Sequence, residues 1–206
     1  MKKMNENIME LLSVDSQEDT SSIIKTQKHE MNVHQVFIDE EIGPPNKYRE
    51  LISMLYMASQ TDTFIFYINS PGGELDSASA IIEAILVTEA TVNAILIGQC
   101  FSAASFIALN CDDVIVTDSA EMMIHTAQFS AGGNTHSIKG SVDFSHKVIN
   151  KMLDKTYTGF LTEQEIDSVK KGQEIWLDSE DIKKRLNFKL EHLAKAEAQV
   201  AETKTI

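Results

Sequence analysis

Positive charge is scarce in this sequence: 18 lysines and arginines stand against 31 aspartates and glutamates, a formal net charge of −13 over 206 residues. A broad nucleic-acid-binding surface leaves a basic footprint, so nucleic acid is not expected as a partner. Long apolar runs are missing as well. None approaches the roughly 18–20 residues that span a bilayer, and no membrane association is expected. Cysteine is limited to Cys100 and Cys111, which have neither metal-ligand spacing nor the density of a disulfide scaffold. Both sit in apolar surroundings, which predicts buried free thiols and a reducing, cytoplasmic setting. The first nineteen residues carry Lys2 and Lys3 but then Asn5, Glu6, Glu10 and Asp15. With no apolar core among them, they are not read as a secretory signal.

Several motifs are also absent. There is no Gly-x-Gly-x-x-Gly for a dinucleotide, no Gly-Lys-Ser/Thr for a nucleotide phosphate, and no Gly-x-Ser-x-Gly elbow. None of these absences argues against an enzyme. At 43% hydrophobic residues the chain is long enough to bury a full core as one domain with a small appendage.

What is present is an alternating texture. Residues 1–30 are polar and weakly patterned, which predicts a flexible N-terminal arm. Val36-Phe37-Ile38 reads as a strand stopped by Gly43-Pro44-Pro45, and Tyr48, Leu51, Ile52, Leu55 and Tyr56 recur at helical spacing. Thr63 to Ile68 and Val92 to Ile97 read as fully buried strands. Between them Leu75, Ala78, Ile82, Ile85 and Leu86 line a helix. A short small-residue helix over Ser102 to Leu109 and strands at Val114–Val116 and Met122–Ile124 follow. This rhythm predicts right-handed βαβ units in a mostly parallel sheet. Ser130 to Asn134 reads as a flexible linker, and about Ser141 to Tyr157 as a long helix whose apolar stripe suits a subunit contact. Thr162 looks like an N-cap with acidic residues behind it, and 189–206 like a polar helical tail.

Three places carry residues suited to chemistry. Asn69-Ser70-Pro71-Gly72-Gly73 lies between a strand and a helix, where paired glycines allow a tight turn that presents N–H groups; a plain turn is the alternative. Ser102, in Gly98-Gln99-Cys100-Phe101-Ser102-Ala103-Ala104-Ser105, sits at a helix N-terminus that favours developing negative charge. The alternative is that small residues let the helix lie close to the sheet, with Ser102 as its N-cap. His125 ends an apolar strand, as a base or as a hydrogen-bonded core residue. The remaining histidines (His29, His34, His136, His146, His192) form no metal-ligand spacing and read as surface residues.

Glycine pair, serine and histidine all fall at strand ends of one α/β unit, where ligands bind in such sheets. In that order they resemble the proteolytic subunit of the Clp protease, a family of serine peptidases. The resemblance rests on Tyr67-Ile68-Asn69-Ser70-Pro71-Gly72-Gly73, Gly98-Gln99-Cys100-Phe101-Ser102, Met122-Met123-Ile124-His125 and Trp176-Leu177-Asp178-Ser179-Glu180. The Ser-Ala-Ala-Ser form is similar to phage-type branches. The resemblance implies an α/β fold of the crotonase/Clp-protease-like type, with repeated β-β-α units and a protruding handle helix. Its peptidase domain would cover 31–188 and its handle about 130–160. It implies Ser102 as nucleophile with Ser105 as rival, His125 as general base, and the Gly73 and Ala103 N–H groups as the oxyanion hole. Counting back without a gap from Trp176-Leu177 puts Lys170 where the family has aspartate; Asp167, one helical turn earlier, is the substitute, with a solvated helix acid as the alternative reading. Arg185 replaces a family glycine, and Leu186-Asn187-Phe188 departs from the family's ending.

The implied activity is peptide-bond hydrolysis through an acyl-enzyme, with no metal or organic cofactor. The implied partners are copies of the chain in stacked heptameric rings, a tetradecamer, peptides or unfolded proteins as substrates, and an unfoldase ATPase, although the N-terminal arm does not match the family's axial-loop segment. Two other readings stay open: a structural ring subunit of the same fold with little activity, and an acyl-CoA enzyme of the crotonase group.

Overall fold

The computed structural model describes residues 31–128, 130 and 132–203, with side chains to 194. The expected arm over 1–30 lies outside the described residues, as do two positions, 129 and 131, next to or within the expected linker. The elements are β1 Val33–Ile38, a 3-10 turn Pro45–Tyr48, α1 Arg49–Met57, β2 Thr63–Ser70, α2 Leu75–Val87, β3 Thr91–Phe101 and α3 Ala103–Leu109. They continue with β4 Asp113–Val116, β5 Glu121–Ile124, α4 Thr135–Tyr157, α5 Glu163–Lys170, β6 Ile175–Leu177 and α6 Ser179–Thr203. The sheet runs β1-β2-β3-β5-β6, with β4 also paired to β3. Every pairing is parallel except β5 with β6. The mixed α/β architecture with a parallel-rich sheet and six α-helices fits the predicted fold class.

Alternation along the strands decides which side chains enter the core. Phe64, Phe66, Ile68 and Ser70 of β2 and Val92, Ala94 and Leu96 of β3 are fully buried. They meet Ala78, Ile81, Ala84 and Ile85 of α2 and the whole of α3. Each large side chain so buried contributes roughly 1.5–3 kcal/mol. The opposite face differs from the expectation of strands buried on both sides. Phe37, Tyr67, Ile95 and Ile115 stand in register across β1, β2, β3 and β4. Phe37 is 58% and Ile115 51% exposed, because the crossover helices cover the other side. Leu86 and Tyr56, predicted on helix faces, are also exposed.

Helix α4 begins six residues ahead of the expected start at Ser141. Asn134, read as linker, caps it: its Oδ1 accepts the Ser137 N–H at 3.0 Å. Towards its C-terminal end α4 packs inward through Ile149, Leu153 and Tyr157, whereas Phe144 in the first half and Val148 on the outer side are exposed. Helix α5 starts with a capping box between Thr162 and Glu165. Arg185 of α6 makes two hydrogen bonds, 3.0 and 2.7 Å, to the same Glu165 carboxylate. Helix α6 crosses the expected boundary at 188 without a break. Its Lys189 ammonium donates to the Leu109 carbonyl at the C-terminus of α3, where the helix dipole favours a cation.

Candidate active site

The site is built at the ends of β2, β3 and β5. Pairing of β2 with β3 slips after Ile68: Ile68 opposes Leu96, but Ser70 opposes Cys100. The extra length in β3 is taken up around Gly98, where an added Cβ would lie 2.3 Å from Asn69 Oδ1. That oxygen accepts the Gln99 N–H at 2.9 Å. Asn69 thus satisfies a backbone donor that the slipped ladder leaves unpaired, and the irregularity re-aims the strand end that carries Ser102.

Ser102 joins β3 directly to α3 with φ +53° and ψ −122°, the sole non-glycine residue at positive φ among the described residues. Such a conformation costs about 1–3 kcal/mol and persists only where its surroundings over-determine it. They do. The Ser102 N–H donates to the Met123 carbonyl at 2.7 Å, and the Ser102 carbonyl accepts the Ser105 N–H at 3.0 Å. The side chain projects from this turn, and Ser102 Oγ lies 2.7 Å from His125 Nε2.

The glycine pair closes the other wall. Ile42 forms a parallel bridge to Gly73, donating to the Gly72 carbonyl at 2.7 Å and accepting the Glu74 N–H at 2.8 Å. In such a bridge the flanking groups face the partner, so the N–H of Gly73 itself points the other way. Gly72 packs against the serine turn: an added Cβ would meet the Phe101 carbonyl oxygen at 2.7 Å and Ser102 Cβ at 2.8 Å. The Ser70 hydroxyl ties the turn down, donating to the Glu40 carbonyl at 2.6 Å and accepting the Gly72 N–H at 3.1 Å.

Gly73, Ser102, Ala103 and His125 line one cavity of about 430 Å3, walled by Leu75, Phe106, Met123 and Ala127 with Glu41 and Glu74 at its edge. Ala103 is the first residue of α3, so its N–H has no partner within the helix. The cavity therefore holds a hydroxyl against an imidazole, beside two backbone N–H groups able to receive negative charge. Trp176, 60% exposed, lies in register with Met123 across β5 and β6. Its ring meets Phe101, the residue before Ser102, edge-on at 5.3 Å between centroids.

The structure thus brings together four of the five residues singled out in sequence, and not Asp167. Helix α5 turns Ile166 and Val169 inward, which leaves Asp167 on its exposed face, 4.0 Å from the Lys170 ammonium. Asp167 lines a different depression, with Asp154 and Thr158. Lys170 makes its closest ion pair with Asp154 of α4. Among the described residues no carboxylate is hydrogen-bonded to His125. Ser105, the rival nucleophile, is fully buried and bonded to the Ser102 carbonyl and to Tyr157 rather than to the histidine. Both cysteines stand away from this chemistry, and burial pushes their thiols up, out of reach of ionisation at neutral pH.

Three supporting roles escaped the sequence: Asn69, Gly98 and the Ser105–Tyr157 pair. Each joins residues that are distant along the chain, and no local spacing marks them.

A family model described as Clp protease matches residues 16–185. A curated relative, the ATP-dependent Clp protease proteolytic subunit of Pleurastrum terricola, is 33% identical over 94 residues, covering 43% of this chain and 48% of the relative. The matched part is thus about half the length of that relative. The family match runs through the glycine turn, the serine–histidine pair and the capped helix beyond them, and the chain belongs to the Clp protease family.

Proposed function

We propose that the chain is a serine-type endopeptidase subunit that cleaves peptide bonds through an acyl-enzyme on Ser102. The observation that carries this reading is the 2.7 Å hydrogen bond between Ser102 Oγ and His125 Nε2, in a cavity that Gly73 and Ala103 also line.

For Nε2 to act as base, His125 must carry its proton on Nδ1. Ser102 Oγ then attacks the scissile carbonyl carbon while its proton passes to Nε2. The carbonyl π electrons move onto oxygen, and that oxyanion is received by the Gly73 and Ala103 N–H groups. A donor of this kind is typically worth about 2.7–4 kcal/mol in the transition state. As the C–N bond breaks, Nε2–H protonates the departing amine. Water then attacks the ester, giving its proton to Nε2, and collapse releases the carboxylic acid and restores the Ser102 hydroxyl.

Substrates on this reading are peptides or unfolded chains, which alone can enter a chamber made by self-association into stacked heptameric rings. An unfoldase ATPase is the matching partner. One observation favours a second reading, a ring subunit of low activity: the carboxylate expected at His125 is turned towards Lys170 instead. Without an orienting carboxylate, turnover in serine proteases falls about 10⁴-fold. The test is hydrolysis of a fluorogenic peptide by the purified chain, with labelling by a serine-directed fluorophosphonate. Ser102→Ala is expected to abolish both and leave assembly intact. If Ser102→Ala is still labelled and Ser105→Ala is not, the nucleophile is Ser105. Labelling of the wild-type chain without measurable turnover identifies the low-activity subunit.

A further inference from the structure

Behind the nucleophile runs a chain of hydroxyl groups that the mechanism above does not use. Ser105 Oγ donates to the Ser102 carbonyl oxygen at 2.7 Å. It also lies 2.6 Å from the Tyr157 phenol oxygen. A serine hydroxyl has one proton, and here that proton is committed to the Ser102 carbonyl. The Tyr157 phenol must therefore be the donor in the second bond. The order is Tyr157 O–H to Ser105 Oγ, then Ser105 O–H to the Ser102 carbonyl, with every bond pointing the same way. Chains so aligned polarise and strengthen one another. Burial favours the protonated form of Tyr157, pushing the phenol up from its ordinary value. Ser105 is fully buried and Tyr157 nearly so; no solvent competes for either bond.

The target of this chain matters because of peptide planarity. The Ser102 carbonyl and the Ala103 N–H belong to one rigid peptide unit and point in opposite directions. Whatever holds the carbonyl also aims the N–H. The carbonyl accepts twice from Ser105, once from its hydroxyl and once from its backbone N–H, which occupies both lone pairs. The Ala103 N–H is consequently held towards the cavity that contains Ser102 Oγ and His125.

We propose that Ser105 and Tyr157 are positioning residues that aim the Ala103 N–H at the oxyanion by clamping the Ser102–Ala103 peptide plane. The inference rests on the peptidase reading for its catalytic consequence, but the clamp itself is a property of the fold. Tyr157 ends α4 and Ser105 lies in α3, so the clamp anchors the nucleophile turn to the long helix.

The experiment uses the full chain with Ser105→Ala, Tyr157→Phe and the double substitution. Tyr157→Phe keeps the ring, which packs on Phe106 at 5.0 Å, and removes only the donor. Because an oxyanion contact acts on the transition state, kcat is expected to fall with KM unchanged. The expected loss is about fivefold for Tyr157→Phe and about 10- to 100-fold for Ser105→Ala. Affinity for a peptide boronate, which forms a tetrahedral adduct, should fall in parallel. The double variant should have the kcat of Ser105→Ala, since the phenol acts only through that serine, yet melt at a higher temperature because the buried phenol is no longer unpaired.

Peptide-resolved hydrogen exchange over residues 99–106 needs no activity and should quicken in Ser105→Ala. Single variants within twofold of wild type in kcat and boronate affinity, or losses that multiply in the double variant, overturn the proposal. Unchanged exchange overturns it too. A wild-type chain that neither cleaves peptide nor takes a fluorophosphonate overturns the peptidase reading instead, while the exchange measurement still decides the clamp.

Discussion

A Cβ added at Gly73 would lie 2.2 Å from the Ile42 carbonyl oxygen, on a backbone with φ of +146° that L side chains rarely adopt. Gly140, inside α4, has nothing within 4 Å of the same added atom. Opposite outcomes are therefore expected from one chemical change. Gly73→Ala should lower the urea midpoint by several tenths of a molar or more and remove fluorophosphonate labelling, because the bridge to Ile42 must open. Gly140→Ala should raise stability by about 0.5–1 kcal/mol and leave labelling unchanged. Labelling retained in Gly73→Ala would show that this turn does not shape the site. Residue by residue, Ser102 and His125 were legible because both stand at the ends of apolar strands, a position readable from local pattern alone. Asp167 was not, since one turn of helix decides whether a carboxylate faces a neighbour or solvent, and Ile166 and Val169 had already claimed the inward face of α5. Asn69 and Tyr157 act on partners 30 and 52 positions away, which no window of sequence connects.

Helices α5 and α6 are joined by one charged clamp. The Arg185 guanidinium, and behind it the Thr162 cap, hold the Glu165 carboxyl down to about 2 from an ordinary 4.5. A carboxyl depressed in this way stabilises the folded state above its unfolded value. That contribution is lost as pH falls from about 4.5 towards 2. The pair is partly exposed, so screening limits it to about 1 kcal/mol at neutral pH. Glu165→Gln should be less stable than wild type by about that amount at pH 7 and converge with it near pH 2. A difference that does not shrink on acidification would mean that the clamp is not electrostatic. Arg185 reads in sequence as a departure from the family glycine, and in the fold it is the cation of this clamp. The crossover helices α1 and α2 were legible from helical spacing, and α3 from its run of small residues. The early start of α4 was not, because Asn134 follows two glycines and only the accepted Ser137 N–H distinguishes a cap from a linker. Strand β6 is three residues long, too short for periodicity, and is held by its pairing with β5.

Among the described residues, apolar side chains remain open on the sheet row Phe37, Tyr67, Ile95 and Ile115 and on the first half of α4, where Phe144 is 69% exposed. Burying them between copies is the favourable side of the proposed self-association. Opposing it is the −13 carried by each chain, a repulsion that grows steeply with copy number and is screened by salt. Assembled mass is accordingly expected to increase between about 0.05 and 0.5 M salt, where the Debye length falls severalfold from beyond ~10 Å. Phe144→Asp should shift mass towards single rings or monomers at every salt concentration, without loss of fluorophosphonate labelling in the parts that remain. Mass photometry reads both. Indifference to salt would assign control to the apolar contacts, and indifference to Phe144→Asp would place the contact elsewhere.

Trp176 is the single tryptophan of the chain, and it meets the ring of Phe101, the residue next to Ser102, edge-on. The molecule thus carries its own optical gauge. Its indole is more than half open to solvent, so emission should shift to shorter wavelength when an acyl group or peptide settles over β5 and β6 and displaces water. On the proposed peptidase reading, single-turnover acylation can then be followed in real time with unlabelled substrate, and every variant described above can be compared by light emission from one fixed point.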